Sequence, residues 1–329
     1  KNYQVYVTGS VSEETYDNIA YVNFNNLATL IKTNAFHTII VSRYIGFYEK
    51  YPTFSAYQTY IWAHDTILNN SGSNLSAENI LSKWSNQITG CVCQTEWHKQ
   101  LYNDQYSTLK DKIHIINNGI TIDKFMYPIK KSQNRFIYSS CSERGLQKLL
   151  ELWPQIIEHL PDAELYITTY NDFPRDDNER NMEKIIYQHS SITHLGKLEQ
   201  SKLYELIASV EYWLYPSYWP ETSCITCMEM LMSEVVCLYY PVSGLINSLG
   251  EYGIKISEGN EIDALLELTM KKKSELRKKG KLYATSCSWG NREKEWSNVL
   301  RIGTTYSGTH STTSTEFTSS TAPLTTSSS

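Results

Sequence analysis

The chain has 329 residues, of which 41% are hydrophobic, and this length and composition suit two domains, each with its own core. The formal net charge is -5, which argues against broad binding to the phosphates of nucleic acids or to anionic membranes. No apolar run approaches the roughly 20 residues that cross a bilayer, so we expect no transmembrane segment.

The start of the chain and its cysteines bear on location. The chain begins at Lys1 with a strand-like segment instead of Met, so we expect a cut or processed start, and no signal peptide is visible. The seven cysteines lie mostly within apolar segments. An odd number of such thiols indicates reduced core cysteines and a cytoplasmic location, with secretion as the weaker alternative.

Short apolar runs alternate with polar or amphipathic stretches through the first part of the chain. These runs are rich in Ile, Val and Tyr, which is typical of buried strands in parallel sheets. They predict a first series of strands at Val5–Val7, Thr38–Ser42, Tyr60–His64, Gly90–Gln94 and His114–Ile116.

A second series of strands follows, with clear helices between them. Apolar residues recur every three or four positions from Leu146 to Ile157, which predicts a helix that Pro161 ends. Two strand–helix series predict the α/β class, with two parallel-sheet domains that meet near residues 124–134. The strands of this series are predicted at Arg135–Ser139, Glu164–Thr168, Ile192–Leu195, Tyr212–Tyr215 and Val235–Tyr239.

Two further stretches have a distinctive composition. Residues 303–329 are rich in Ser and Thr, so we expect disorder, with an O-glycosylated stalk or a linker to another domain as alternatives. Lys271–Lys273 and Arg277–Lys279 indicate a basic, solvated helix face, with contact to an anionic membrane or a lipid-linked acceptor as the alternative.

Polar and small residues follow most of the predicted strands. In open parallel sheets the ligand binds outside the carboxyl ends of the strands, so we expect a cleft for a polar, phosphate-bearing ligand. In the segment Ser139–Gly145, the free N–H groups of a helix start and the guanidinium of Arg144 could bind phosphate. The alternative is a serine cap followed by an exposed arginine.

A pair of glutamates forms the second candidate site. Glu221 follows a predicted strand, and Glu229 lies in the helix that continues through Met232. Two carboxylates so placed can face one cleft and accept hydrogen bonds from sugar hydroxyls. The first-turn N–H groups of Thr222 to Cys224 could receive a phosphate between them. Alternatively, Glu221 is a favourable first-turn anion and Glu229 is solvated.

Together these segments, in order and spacing, resemble the donor-binding domain of retaining GT-B glycosyltransferases of family 4 (glycosyl transferases group 1). The resemblance covers about residues 60 to 300. It rests on Ile116–Ile120, Phe136–Leu146, Leu149–Pro154, Pro161–Leu165, His194–Lys197, Trp213–Pro216, Trp219–Glu229 and Ser288–Trp296.

The resemblance implies a role for each matching position. Glu221 would bind the donor sugar, Glu229 the ribose, and Arg144 the diphosphate, while His64 would face the donor sugar near the reaction centre. Relatives take a second phosphate cation from a Gly-Arg pair, which here would be either missing or replaced by Lys148. The remaining donor-site positions are Ser139, Ser140, Gly196, Lys197, Thr222, Ser223 and Cys224, and the cleft floor is at Asn118 and Gly119.

A GT-B division of the chain follows from the resemblance. Residues 1–124 would form the N-terminal, acceptor-side Rossmann-like domain, and residues 125–285 the C-terminal donor-binding domain across the cleft. Residues 286–302 would return to pack on the first domain. Relatives begin with a strand and a Gly-Gly loop that nothing before Tyr3 supplies, so we expect a truncated N-terminal domain.

The activity implied is transfer of a hexosyl or related sugar from a nucleoside-diphosphate sugar to a hydroxyl, with retention of configuration. The acceptor would be a glycan or a protein-linked or lipid-linked hydroxyl, in glycan biosynthesis, and no nucleic acid is expected as a partner. The departing phosphate would take the acceptor's proton in a front-face attack. No Asp-x-Asp triplet occurs and the Cys pairs indicate core thiols, so we expect neither metal nor cofactor.

The alternative to an active glycosyltransferase is a catalytically silent nucleotide-sugar-binding or scaffold domain of a larger protein, as the missing loop suggests.

Overall fold

The computed structural model describes residues 3–125, 127–128, 130–170 and 173–301. Within these ranges the chain forms three sheets, of three, four and six strands. The predicted tail at 303–329 lies outside the described residues, as do two positions of the predicted junction, Met126 and Ile129. Among the helices described, none combines the length and the apolar character that crossing a bilayer requires.

The first sheet is small, and no strand pairing joins it to the four-stranded sheet that follows. It consists of β1 (Val5–Gly9), β2 (Glu14–Tyr16) and β3 (Ile19–Asn23), in the order β1-β3-β2. The positive φ angles of Asp17 (50°) and Asn18 (62°) make a two-residue hairpin turn between β2 and β3. The strand predicted at Val5–Val7 therefore exists, but it pairs with β3 and not with the next sheet.

The second sheet is parallel, in the order β4-β5-β6-β7. The strand predicted at Tyr60–His64 ends earlier, at Trp62, so His64 lies in the loop beyond the carboxyl end. The elements of this part of the chain are α1 (Leu27–Thr33), β4 (Ala35–Ser42), α2 (Phe47–Lys50), β5 (Ser55–Trp62), α3 (Ala77–Lys83), β6 (Gly90–Cys93), α4 (Glu96–Gln105) and β7 (Ile113–Ile115).

The third sheet is also parallel and holds the largest core. All five strands predicted for it are confirmed to within one residue of either end. Its elements are β8 (Arg135–Ser139), α5 (Leu146–His159), β9 (Glu164–Thr168), α6 (Asp177–Gln188), β10 (Ile192–Gly196), α7 (Gln200–Ser209), β11 (Tyr212–Tyr215), α8 (Ile225–Met232), β12 (Val236–Tyr239), α9 (Leu245–Leu249), β13 (Ile254–Lys255), α10 (Glu261–Leu266) and α11 (Met270–Ser286).

The strand order of the third sheet determines where a ligand can bind. The order is β10-β9-β8-β11-β12-β13, so the chain runs outward in one direction from β8 and in the other from β11. The loops after β8 and β11 therefore diverge and leave a crevice between them at the carboxyl edge. These two loops are Ser140–Gly145 and Pro216–Cys224, which contain the two candidate sites that the sequence predicts.

The last helix, α12 (Trp289–Val299), returns to the second sheet. Its Trp296 ring meets Trp62 edge-on at a centroid distance of 5.2 Å, and Gln58 Nε2 donates to the carbonyl oxygen of Leu300 at 2.7 Å. These contacts join α12 and Leu300 to β5. The residue numbers of the domain boundaries stay a prediction.

The basic face of α11 is only partly solvated, contrary to the prediction. Lys271, Lys272, Lys278 and Lys279 are exposed. However, Lys273 Nζ and Arg277 Nη2 lie 3.2 and 3.1 Å from Oε1 of the buried Glu211. Periodicity alone could not separate these two residues from their neighbours, because Glu211 belongs to a distant part of the sequence.

Candidate active site

Arg144 and Glu221 meet across the crevice between β8 and β11. Arg144 Nη1 lies 3.0 Å from Glu221 Oε1, and the Tyr215 hydroxyl donates to the same oxygen at 3.2 Å. The Arg144 guanidinium also lies over the Trp219 ring, 5.0 Å from its centroid. The two segments singled out in the sequence therefore form one site.

Glycine 145 lets the two loops approach each other. Its φ is +98°, and a Cβ there would lie 2.8 Å from the carbonyl oxygen of Pro216. Any other residue would be strained and would push the loops apart. This contact brings the start of α5, and with it Arg144, against the loop that carries Glu221.

Burial and the ion pair act in opposite directions on these charges. Burial raises the pKa of the Glu221 carboxyl, while the charge of Arg144 and the Tyr215 hydrogen bond oppose the rise. Burial alone would lower the pKa of Arg144, but the Glu221 charge outweighs it and the pKa is raised. The site thus holds a permanent cation beside a carboxylate that is costly to ionise without it.

Glu229 occupies the middle of α8 and is held by a tyrosine that the sequence analysis did not identify. The Tyr204 hydroxyl, on α7, donates to Glu229 Oε1 at 2.8 Å. Burial raises the pKa of Glu229, and this hydrogen bond and the charge of Lys124 oppose the rise. A second tyrosine, Tyr170, lies near Thr226, one turn earlier on α8, and burial is the main cause of its raised pKa. Both tyrosines come from distant segments, so no local pattern indicates them.

The loop before α8 differs from the prediction. The helix begins at Ile225, so Thr222 and Ser223 precede it and Cys224 is its cap. The N–H of Cys224 donates to Ser248 Oγ at 3.3 Å and is therefore already used. The first turn was expected at Thr222 to Cys224, but the Glu221 carbonyl accepts the N–H of Gly244 at 2.8 Å, which holds this stretch as an extended loop.

Two buried polar atoms at this edge have no hydrogen-bond partner among the described residues. They are Nε of Arg144 and Oγ of Ser223. Unsatisfied buried groups of this kind cost free energy unless a ligand or water meets them. They lie on the two loops that flank the crevice and thus mark it as a site with unused hydrogen-bonding capacity.

The other predicted donor-site residues fall into two groups. Ser139 and Ser140 are buried, and Ser140 Oγ lies 3.4 Å from the Tyr215 hydroxyl, which places this pair beside Glu221. Gly196 ends β10 with a φ of +63°, followed by an exposed Lys197. The carbonyl of Gly196 accepts the N–H of Thr169 at 3.1 Å and so joins the ends of β9 and β10.

Among the described residues, no contact links Lys148 to Arg144 or Glu221. Its Nζ lies 2.9 Å from Glu258 Oε1 and 3.9 Å from Glu261 Oε1, near the start of α10. The Glu258 hydrogen bond is the main cause of a raised Lys148 pKa. Its predicted role as a second phosphate cation would require this pair to open.

The carboxyl edge of the second sheet supplies the opposite wall. The Thr222 hydroxyl donates to the carbonyl oxygen of His64 at 2.7 Å, and the Thr95 hydroxyl donates to the carbonyl oxygen of Thr222 at 2.8 Å. Gln94 Nε2 lies 2.7 Å from His64 Nδ1, and Asn118 Nδ2 donates to Gln94 Oε1 at 3.2 Å. The two sheets therefore meet at the predicted residues His64, Asn118 and Thr222.

Gly119 serves a different contact from its neighbour Asn118. A Cβ at Gly119 would lie 2.8 Å from the Trp289 ring, so α12 packs directly on this glycine. Asn118 is buried and bonds to Gln94. The sequence analysis predicted Gln94 only as the last residue of a strand. Its position at the carboxyl edge of the sheet could have identified it as a residue of the cleft.

Metal ligation and disulfide formation find no support in the described residues. They contain no group of three or more His, Cys, Asp or Glu side chains arranged to hold a metal ion. All seven cysteines are unpaired, and six of them are buried. Cys91 and Cys93 lie in the second sheet, whereas Cys224 and Cys227 belong to the third-sheet domain.

Comparison with solved structures identifies the fold. The TarM glycosyltransferase of S. aureus, solved with fondaparinux, alpha-GlcNAc-glycerol and UDP, matches with a TM-score of 0.64 and 15% identity, over 84% of this chain and 57% of that one. A glycosyltransferase from Rickettsia africae matches with a TM-score of 0.63 and 16% identity, over 87% and 86%. The catalytic domain of starch synthase IV from Arabidopsis thaliana, bound to ADP and acarbose, matches with a TM-score of 0.61 and 12% identity, over 80% and 72%.

The chain has the GT-B glycosyltransferase fold, with two Rossmann-like sheets, and the predicted fold class is confirmed. At these identities the likeness is one of fold. The chain spans 57% of the length of TarM and 52% of a chain of the GtfA/B complex, which matches at a TM-score of 0.57. No protein-family model and no curated protein matches the sequence.

Proposed function

We propose that the chain is a glycosyltransferase that transfers a hexosyl or related sugar from a nucleoside-diphosphate sugar to a hydroxyl acceptor. The observation that carries the proposal is the Arg144–Glu221 pair, 3.0 Å apart at the crevice of a GT-B fold. Solved GT-B structures that contain UDP or ADP support a nucleotide as part of the donor.

Arg144 would bind and neutralise the diphosphate. When the bond between the sugar and the diphosphate of the donor breaks, negative charge develops on the departing phosphate. A fixed guanidinium stabilises this charge without reorganisation. The unpartnered Nε of Arg144 and Oγ of Ser223 support this role, because phosphate oxygens accept hydrogen bonds from both kinds of donor. Diphosphate would thereby compete with Glu221 for the guanidinium.

The two glutamates would orient the rest of the donor. Once Arg144 also binds phosphate, the carboxylate oxygens of Glu221 can accept hydrogen bonds from hydroxyls of the sugar. Glu229 would accept hydrogen bonds from the ribose hydroxyls, since Tyr204 already orients one of the two carboxylate oxygens of Glu229. His64 would contact the sugar from the opposite wall of the cleft.

We further propose that the configuration is retained and that no metal takes part. Glu221 Oε1 is already engaged by Arg144 and Tyr215, which suits hydroxyl binding better than nucleophilic attack. A front-face course, in which the departing phosphate takes the acceptor's proton, needs no nucleophilic carboxylate. The sequence has no Asp-x-Asp triplet to bridge a metal to the diphosphate, and Arg144 provides the charge instead.

The acceptor and the location also belong to the proposal. A glycan, a protein-linked hydroxyl or a lipid-linked hydroxyl would serve as acceptor, and the exposed lysines of α11 would suit peripheral contact with an anionic membrane. The unpaired thiols support a cytoplasmic location, where cysteines stay reduced.

The test is release of nucleoside diphosphate from a panel of nucleotide sugars, with and without simple glycan acceptors. We expect one donor to be consumed, and Glu229→Ala to abolish its binding. Glu205→Ala, on the exposed surface of α7, is the matched control and should behave as the wild type. Binding of a nucleotide sugar without turnover would instead favour the catalytically silent alternative, and absence of both would refute donor recognition altogether.

A further inference from the structure

Gln94 is a buried side chain at the centre of the contacts between the two sheets. It directly follows β6, and 2% of its surface is exposed. Its amide lies within hydrogen-bond distance of His64, Asn118 and Thr222, one on each of three separate loops. No other described side chain contacts the His64 ring through a hydrogen bond.

The bond with Asn118 orients the Gln94 amide. Asn118 Nδ2 donates to Gln94 Oε1 at 3.2 Å, and Gln94 Nε2 donates to Asn118 Oδ1 at 3.4 Å. This reciprocal pair turns Nε2 of Gln94 towards His64, where it lies 2.7 Å from Nδ1. An amide nitrogen carries only donors, so Nδ1 of His64 must be the acceptor.

We infer that Gln94 is a positioning residue that holds His64 in the tautomer with its proton on Nε2. A neutral imidazole has one N–H, and an accepting Nδ1 leaves that proton to the other nitrogen. The Trp62 ring, 4.5 Å from the imidazole centroid, restrains the ring from the side. Within the described chain, Nε2 of His64 has no hydrogen-bond partner.

The surroundings keep the His64 ring neutral at pH 7. Burial lowers its pKa to about 4, and the charge of Arg43 adds to that effect while Asp65 opposes it. His98, on α4, is also held with a lowered pKa, chiefly by burial, so it adds no charge beside His64. The ring can therefore donate one hydrogen bond without carrying a charge.

On the proposed function, this tautomer determines which kind of atom His64 can bind. An Nε2–H donates, so it would meet an oxygen of the donor sugar, and it could not accept a proton from the acceptor hydroxyl. His64 would thus stabilise the bound sugar and not act as the general base. The proton balance then requires the departing phosphate to accept the acceptor's proton.

The first test is the native protein, labelled with 15N in its histidines. Nε2 neighbours both carbon-bound ring protons and Nδ1 only one, so two-bond 15N–1H correlations tell which nitrogen is protonated. The His64 signals are identified by their loss in His64→Gln. We expect the protonated nitrogen to correlate with both ring protons, and a protonated Nδ1 at pH 7 would overturn the inference.

The second test changes the partner. In Gln94→Glu the introduced carboxylate can only accept at pH 7, so the proton should move to Nδ1 or appear on both nitrogens. Gln105→Glu makes the same change at an exposed glutamine, the last residue of α4, and should leave the His64 tautomer unaltered. An unchanged Nε2–H tautomer in Gln94→Glu would show that Gln94 does not select it.

The kinetic consequence is measured separately. A single preorganised donor is worth about 100-fold, so Gln94→Glu with the His64 proton moved to Nδ1 should lower kcat/KM for the donor about 100-fold. A doubly protonated ring, which keeps its Nε2–H, should not lose this factor, and neither should Gln105→Glu. A wild-type protein that consumes no donor yet shows the Nε2–H tautomer would refute the proposed function alone. Full activity in Gln94→Glu, with the tautomer switched, would refute the role of the Nε2–H in sugar binding.

Discussion

At the scale of single residues, the Arg144–Glu221 pair combines charge and burial in a way that favours an anionic ligand. The Glu221 side chain is 10% exposed, so its charge is costly unless Arg144 remains close. A diphosphate placed in the crevice adds charge of the same sign as Glu221, and the guanidinium has donors enough for both. Arg144 thus provides the positive charge that both Glu221 and a bound diphosphate need.

Removing this cation should abolish donor use. Arg144→Ala takes away the group that stabilises the leaving phosphate and leaves the buried Glu221 uncompensated, so we expect kcat/KM to fall about 100-fold or more. Steady-state kinetics with the accepted donor measures this. Arg180→Ala, at a surface arginine paired with Asp177, is the control. An Arg144→Ala variant as active as the control would show that the diphosphate binds elsewhere.

A second residue-scale prediction concerns Tyr204. Its hydroxyl donates to Glu229 and opposes the rise in the Glu229 pKa that burial causes. Tyr204→Phe should therefore raise KM for the donor about tenfold, with a smaller effect on kcat, because a hydrogen bond to a charged group is lost. It should also shift the acid limb of kcat/KM to higher pH, since the Glu229 pKa rises.

The control for Tyr204→Phe is Tyr187→Phe, the same change at an exposed tyrosine of α6. It should leave KM and the pH profile as in the wild type. An acid limb that moves to lower pH in Tyr204→Phe, or does not move, would contradict the assignment of Glu229 as the ionised ribose ligand.

At the scale of elements, buried composition explains which strands the sequence predicts well. Tyr212–Tyr215 and Val236–Tyr239 are buried at every position, so their apolar runs coincide with the strands. β2 and β3 were missed: every residue in them is exposed or half-buried, although the Asp17–Asn18 turn and the apolar run from Ile19 to Val22 mark the hairpin. The start of α8 was misplaced because the bond from Gly244 to Glu221 keeps the preceding loop extended.

The candidate site is predictable from the sequence only in outline. The position after a strand indicates that Arg144 and Glu221 lie at the carboxyl edge, but they are 77 positions apart, and nothing local indicates that they pair. The same holds for Tyr204 and Glu229, whose bond joins two helices. Local patterns place residues on elements, whereas contacts between elements depend on the packing of the whole sheet.

The docking of α11 on the third sheet gives an element-scale prediction. Glu211 is buried and holds Lys273, Arg277 and the N–H of Asn134. Glu211→Gln would leave two nearly buried cations without an anion, so we expect a loss of about 3 kcal/mol in the free energy of unfolding. Urea unfolding followed by circular dichroism measures it.

Glu275→Gln provides the comparison on the same helix. Its pair with Lys279 is exposed and screened by solvent, so the variant should unfold almost as the wild type does. Equal losses in the two variants would mean that the Glu211 cluster behaves as a surface ion pair.

At the scale of the whole molecule, two sets of contacts join the second and third sheets. The Thr222–His64 and Thr95–Thr222 hydrogen bonds join them at the carboxyl edges, and α12, which follows α11 in the chain, packs on β5. The proposed donor residues on one sheet and His64 on the other therefore keep a defined separation. Loosening α12 should affect this arrangement without touching any residue of the proposed donor site.

The docking of α12 depends on how closely Trp289 approaches Gly119. A Cβ at Gly119 would lie 2.8 Å from the Trp289 ring and 3.0 Å from Arg292, so Gly119→Ala must displace the Trp289 ring or the helix that carries it. Overpacking of this kind costs about 1–3 kcal/mol, and the loss should appear in urea unfolding.

Gly290→Ala is the matched change, because a Cβ there meets nothing within 4 Å. It lies inside α12, where alanine stabilises a helix by about 0.5–1 kcal/mol relative to glycine. The two substitutions should therefore shift stability in opposite directions, and a loss in both would mean that α12 tolerates no change at its start, whatever its contact with Gly119.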